Sequence, residues 1–141
     1  MINDDLKLTG KLAIALNGKT VQEVDNLVVT DGKEYVASRM KDTSATAMSN
    51  MSIGSGTTAA AASQSALVSE LGRVSLTSTT VSGAVVTYVA TFGAGTGTGA
   101  VTEAAILNAN SSGDMLCRTV FSVVNKGSAD SMTITWTVTV S

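Results

Sequence analysis

The chain contains no histidine and no proline, one cysteine, and few charged or aromatic side chains, at 14% and 4%. Without histidine, the usual general base, proton shuttle and commonest metal ligand is missing. Ser-His-Asp and Cys-His catalysis are excluded in their familiar form. The lone Cys117 makes no intramolecular disulfide. Zinc sites need several Cys or His ligands, which are not there to assemble. No run approaches the roughly 18 apolar residues of a membrane helix. The acidic start, Met1-Ile2-Asn3-Asp4-Asp5, lacks the basic flank of a signal peptide. Nine Lys and Arg against eleven Asp and Glu, well spread, leave no basic footprint for nucleic acid. Neither nucleic acid nor membrane is therefore expected as a partner. An ordinary soluble domain carries about 25% charge. A lone monomer with so little is poorly defended against association, so the composition implies life in an assembly.

What is present is mostly strand signal. The 141 residues are enough for one core, and a single domain over 1–141 is expected. Leu8, Leu12, Ile14 and Leu16 fall on alternate positions, followed by Asn17-Gly18 and then Val21, Val24, Leu27, Val28 and Val29. Asn-Gly between such runs predicts a hairpin, because both residues tolerate positive φ. Residues 1–11 have few anchors and read as an extended arm able to pair with a neighbour by strand addition. Asp31-Gly32 reads as a turn and Lys33 to Lys41 as a short helix with Tyr35, Val36 and Met40 on one face. After the glycine-rich Gly54 to Thr58, the alanines from Ala59 and then Ala66, Leu67 and Leu71 predict a second short helix.

From Arg73 onward the pattern is β throughout. Val86, Tyr88, Ala90 and Phe92 alternate with Val85, Thr87, Val89 and Thr91. Gly93 to Gly99 reads as a loop with nothing to pack. Val101 to Leu107 and Met115 to Val124 are strands around a polar turn at Asn108–Asp114. Met132, Ile134, Trp136, Val138 and Val140 alternate with threonines, which means one buried and one open face. About eight strands joined by short turns predict an antiparallel β-sandwich, jelly-roll-like, with one or two short helical turns. Tyr88, Phe92, Phe121, Ile134 and Trp136 are its expected core.

Few residues suggest chemistry. Cys117 is in phase with Met115 and Phe121 and reads as a small apolar filler. Glu23 and Asp25 share a strand face, but nothing matches calcium-loop spacing. Gly54-Ser55-Gly56-Thr57-Thr58-Ala59 fits G-x-G-x-x-A, yet no βαβ unit follows. Asn50-Met51-Ser52 and Asn110-Ser111-Ser112 are formal glycosylation acceptors. Glu103 lies in an apolar strand, where a carboxylate needs a partner. Arg73 or Arg118 is the candidate, giving a structural ion pair. No catalytic, cofactor or metal site is expected.

An ordered set of residues resembles a known family. It runs Ile53-Gly54-Ser55-Gly56-Thr57-Thr58, Glu70-Leu71-Gly72-Arg73, Val86-Thr87-Tyr88 with Phe92, Thr102-Glu103-Ala104, Ile106-Leu107, and the closing threonine-alternating strand. Over residues 26–141 this is similar to a β-module in structural proteins of tailed bacteriophages, both capsid cement (decoration) proteins and tail-fibre or collar proteins. Family members often carry glycine where this chain has Ala105. Tail-fibre proteins add a long shaft and a receptor-binding tip, so a chain of this size is expected to be of the cement type. The resemblance implies a non-enzymatic virion protein on the capsid exterior, made in the host bacterial cytoplasm. Its implied partners are the major capsid protein and itself, as a homodimer.

Overall fold

In the computed structural model, which describes residues 6–41 and 45–141, the expected Asn17-Gly18 turn is present. Asn17 and Gly18 take φ of 51° and 82°, the two positive values a tight hairpin requires. They join β1 (Leu8–Leu16) to β2 (Lys19–Val28). The chain continues through α1 (Thr30–Met40), β3 (Asn50–Gly54), β4 (Glu70–Ser75), β5 (Ser78–Ser82), β6 (Val85–Phe92), β7 (Gly99–Leu107), β8 (Met115–Lys126) and β9 (Met132–Val140). The protein is mainly β. Its strands form one antiparallel sheet in the order β4-β3-β7-β8-β2-β1-β9-β6-β5.

The sheet curls about one main core. Alternate positions of β1, β6 and β9 turn Leu12, Ile14, Tyr88, Phe92, Ile134 and Trp136 inward. Met51, Ile53, Ile106, Cys117 and Phe121 of the other half join the same cluster. All five expected core residues lie there: Phe92, Ile134 and Trp136 are wholly enclosed, and Tyr88 and Phe121 nearly so. The Trp136 Nε1–H donates to Asn26 Oδ1 across 2.8 Å. β2 ties the halves together, pairing with β1 along most of its length and with β8 only through Leu27 and Val28. None of the described helices is long and apolar enough to cross a membrane.

Several expectations change. Asp31-Gly32 is no turn but the start of α1. Asp31 accepts the Met115 N–H at 2.7 Å, and Gly32 lies so close to β8 that a Cβ would meet the Leu116 carbonyl oxygen. The helix expected over Ala59–Leu71 does not form; that stretch is irregular up to Glu70. Of the expected arm over 1–11, Leu8–Lys11 belong to β1, with β9 pairing all four residues and β2 pairing Gly10 and Lys11. Residues 1–5 lie outside the described residues. The Gly93–Gly99 loop is packed after all: Gly97 is buried against Ile53, where a Cβ would come within 2.5 Å of its Cδ1. Among the described residues the strands number nine, one more than expected.

Candidate functional site

β7 is buried on both faces from Val101 to Leu107. One face packs into the main core. On the other, Ala105 and Leu107 join Val29 and Met115 under Leu67. The segment between β3 and β4, residues 55–69, therefore drapes over the outside of the sheet.

Glu103 holds that segment in place. It is wholly buried and pairs with the wholly buried Arg118, Oε1 to Nη2, at 2.8 Å. Arg118 Nε donates to the same oxygen at 3.1 Å. Three backbone N–H groups of the draped segment complete the shell: Val68 to Oε1 at 2.9 Å, and Gly56 and Ser69 to Oε2 at 2.8 Å each. Arg118 also donates from Nη1 to Gln64 Oε1 at 2.9 Å. Thr102 Oγ1 adds a bond to the Gly56 carbonyl at 2.8 Å. Burial alone pushes the Glu103 carboxyl up. The Val68, Ser69 and Gly56 N–H donors and the Arg118 guanidinium outweigh it and hold the group below its ordinary value. The buried pair thus ties the draped segment to the sheet at three backbone positions.

Arg73 is not the partner of Glu103. It bonds Glu70 at 2.7 Å and the carbonyls of Ala109 and Ser112 at 2.9 Å each, pinning the Asn108–Asp114 turn. A register explains the choice. Ala105 pairs with Arg118 and Glu103 with Val120, so Glu103 and Arg118 are diagonal neighbours on one face. In the G-x-G-x-x-A segment the Gly56 amide donates to Glu103 and the Ser55 amide to the Ser69 carbonyl, at 2.8 Å each. Glu23 and Asp25 stand exposed on β2. Among the described residues no three Cys, Asp or Glu groups gather to hold a metal.

One buried polar group has no counterpart among the sequence expectations. Lys126 is almost wholly buried and donates from Nζ to the Gly93 carbonyl at 2.8 Å, anchoring the glycine loop. No sequence signal marks it, since Lys126 ends a strand beside Asn125 and Gly127, as exposed lysines do. Cys117 is wholly buried, and burial pushes its thiol well above the ordinary value. Its neighbour Met115 lies on the opposite face, out of phase, because β8 is bulged opposite Ile106 and Leu107. Burial, then Tyr35 and Cys117, push the Tyr88 phenol up to about 12. An apolar hollow of about 360 Å³ lies between α1 and the ends of β1, β6 and β9, lined by Leu8, Tyr35, Val36, Tyr88 and Val138.

The outer face of β6 and β9 has a different character. Val85, Thr87, Val89 and Thr91 pair with Thr139, Thr137, Thr135 and Thr133, so eight neighbouring positions carry no charge. Thr91 and Thr133 join through their hydroxyls at 2.9 Å. Comparisons with protein-family models, with curated proteins and with solved structures return no match to this chain.

Proposed function

We propose that the chain is a structural virion protein: a capsid decoration, or cement, protein that binds the outside of an icosahedral phage head and braces neighbouring major capsid proteins. The observation that carries this reading is the uncharged threonine and valine face of β6 and β9. A face of this kind offers contact area and short hydroxyl groups without the desolvation penalty of buried charge. The pinned 55–69 segment supports it as well, since a rigid surface loses little entropy on docking. The curl of the sheet about one main core supports a jelly-roll-like sandwich as the finer description of the fold. Many identical copies multiply a modest contact, and a two-fold pair lets one decoration unit bridge two capsomers.

Particles made without the protein are the test. They should assemble, yet release DNA at lower temperature or milder osmotic shock than complete particles. Equal heat resistance and DNA retention would refute the bracing role. Copy number on a stained gel separates this reading from a tail-fibre or collar module: hundreds per particle for a decoration protein, about a dozen for a tail part.

A further inference from the structure

The nine-stranded sheet ends in two strands with only one neighbour each, and only one of those edges is guarded. β4 carries the Glu70–Arg73 ion pair, and the glycine loop presses against it. A Cβ on Gly72 would stand 2.9 Å from the Gly97 nitrogen. That loop backs the inner face of β4, and charge is an ordinary means of blunting an edge. β5, at the other end, carries no charge. Ser78, Thr79, Thr80, Val81 and Ser82 are all exposed, Val81 at 70%. β5 and β6 lie within a stretch, Val74 to Thr102, that contains no charged residue at all.

We infer that β5 pairs antiparallel with β5 of a second copy, across a two-fold axis at Thr80, joining the two sheets edge to edge. The register follows from the hairpin. Gly83, at φ 58°, and Ala84 form a two-residue turn, which makes Ser82 and Val85 a hydrogen-bonded pair. Alternation gives Thr80 with Thr87 and Ser78 with Val89 the same status. Across β6, the Val140 N–H donates to the Ala84 carbonyl at 2.9 Å, in the same phase. The N–H and C=O groups of Thr79 and Val81 therefore turn away from β6, into the open. Centred on Thr80, each Thr79 meets Val81 of the second copy, and the four exposed groups on each strand are satisfied by four hydrogen bonds. A two-fold brings every charge near its own copy, so a charge-free edge is the kind that tolerates self-pairing. The Thr–Val pairs also suit a sheet surface.

A five-residue pair buries less than the roughly 1,000 Å² of a durable interface. It is weak between free molecules and strengthened where many copies are held close together. This inference rests on the decoration reading for that crowding, and its test does not use particles. Thr80→Cys places two thiols on the axis, where the paired Cα atoms lie about 4.5 Å apart, within reach of a disulfide. The buried Cys117 does not compete. With purified protein at one high concentration under mild oxidation, Thr80→Cys should form disulfide dimers at least ~10-fold faster than Thr79→Cys or Val81→Cys, whose counterparts lie off the axis. Adding Thr79→Pro, which removes an outward N–H without touching the β6 ladder, should abolish that advantage while the melting transition persists. Equal rates at the three positions, or fastest coupling at Thr79 or Val81, would overturn the pairing. Either result would leave the heat resistance of particles, and so the decoration reading, to stand or fall separately.

Discussion

Replacing Glu103 by Gln removes one charge and almost no volume. The native carboxylate accepts five hydrogen bonds, two from Arg118 and one each from the backbone of Gly56, Val68 and Ser69. A carboxamide keeps one accepting oxygen and aims an NH₂ at groups that are themselves donors. Some backbone N–H groups lose their acceptor, and the enclosed Arg118 loses its counter-charge. Breaking one side of a buried pair destabilises by about 3–5 kcal/mol. A whole domain is stable by only about 5–15 kcal/mol. Arg118→Met is the contrast. The carboxylate there keeps its three backbone donors, so the loss should be smaller, about 1–3 kcal/mol. Denaturant unfolding at pH 7 measures both values, and hydrogen exchange at the Val68 and Ser69 amides reports the draped segment directly. Those amides should exchange faster in Glu103→Gln while the β9 amides stay protected. A loss under about 1 kcal/mol, in the range of ordinary surface changes, or a larger loss in Arg118→Met, would refute the claim that the carboxylate holds the segment. The same group shapes the acid response. Its folded-state pKa lies below the ordinary 4.5. Its contribution is therefore fully present above about pH 4.5 and is lost as pH falls through the lower folded value. Asp130, held low by Asn17 and the Gly127 N–H, acts in the same direction. Between pH 5.5 and 7 stability should be flat, with a slope below about 0.5 kcal/mol per pH unit. Glu103→Gln should flatten the acid limb as well.

Trp136→Ala should destabilise by about 3–5 kcal/mol in the same unfolding assay. Trp136→Phe, which leaves Asn26 Oδ1 without its donor, should lose about 1–3 kcal/mol. Gly32→Ala should lower the melting temperature through about 1–3 kcal/mol of overpacking, because its Cβ meets β8 backbone that has no room to yield. Cys117 should resist an aromatic disulfide reagent in the native state and react only as the protein unfolds; immediate native labelling would contradict its burial.

Periodicity carried the strands whose two faces meet different surroundings. The alternation from Met132 to Val140 marks β9 because its threonines stay partly open while Trp136 is enclosed. It carried less where both faces are covered. Val101 to Leu107 is buried throughout, and what covers its outer face is a segment whose alanines favour helix. That preference, worth a few tenths of a kcal/mol per residue, yields to the hydrogen bonds that the Gly56, Val68 and Ser69 N–H groups donate to Glu103. The need of Glu103 for a cation was legible from its apolar neighbours. Which arginine answers depended on a register that shifts between Val101 and Glu103, and no local pattern reveals such a bulge. Lys126 was illegible for a related reason: its partner is a carbonyl in a loop 33 residues away.

The placement of β1 between β2 and β9 sets a timetable for synthesis. Lys11 and Thr137, bonded across the β1–β9 ladder, are 126 positions apart in the chain. At about 5–20 residues per second, roughly 6–25 s separate their translation. During that interval the β1–β2 hairpin has one neighbour fewer than it needs, and Leu12 and Ile14 have no Trp136 or Ile134 to pack beside. A strand made early is thus finished by one made much later. Lys7 and Ser141 then exchange paired backbone hydrogen bonds, at 2.7 and 2.9 Å, that fasten the two together like a clasp.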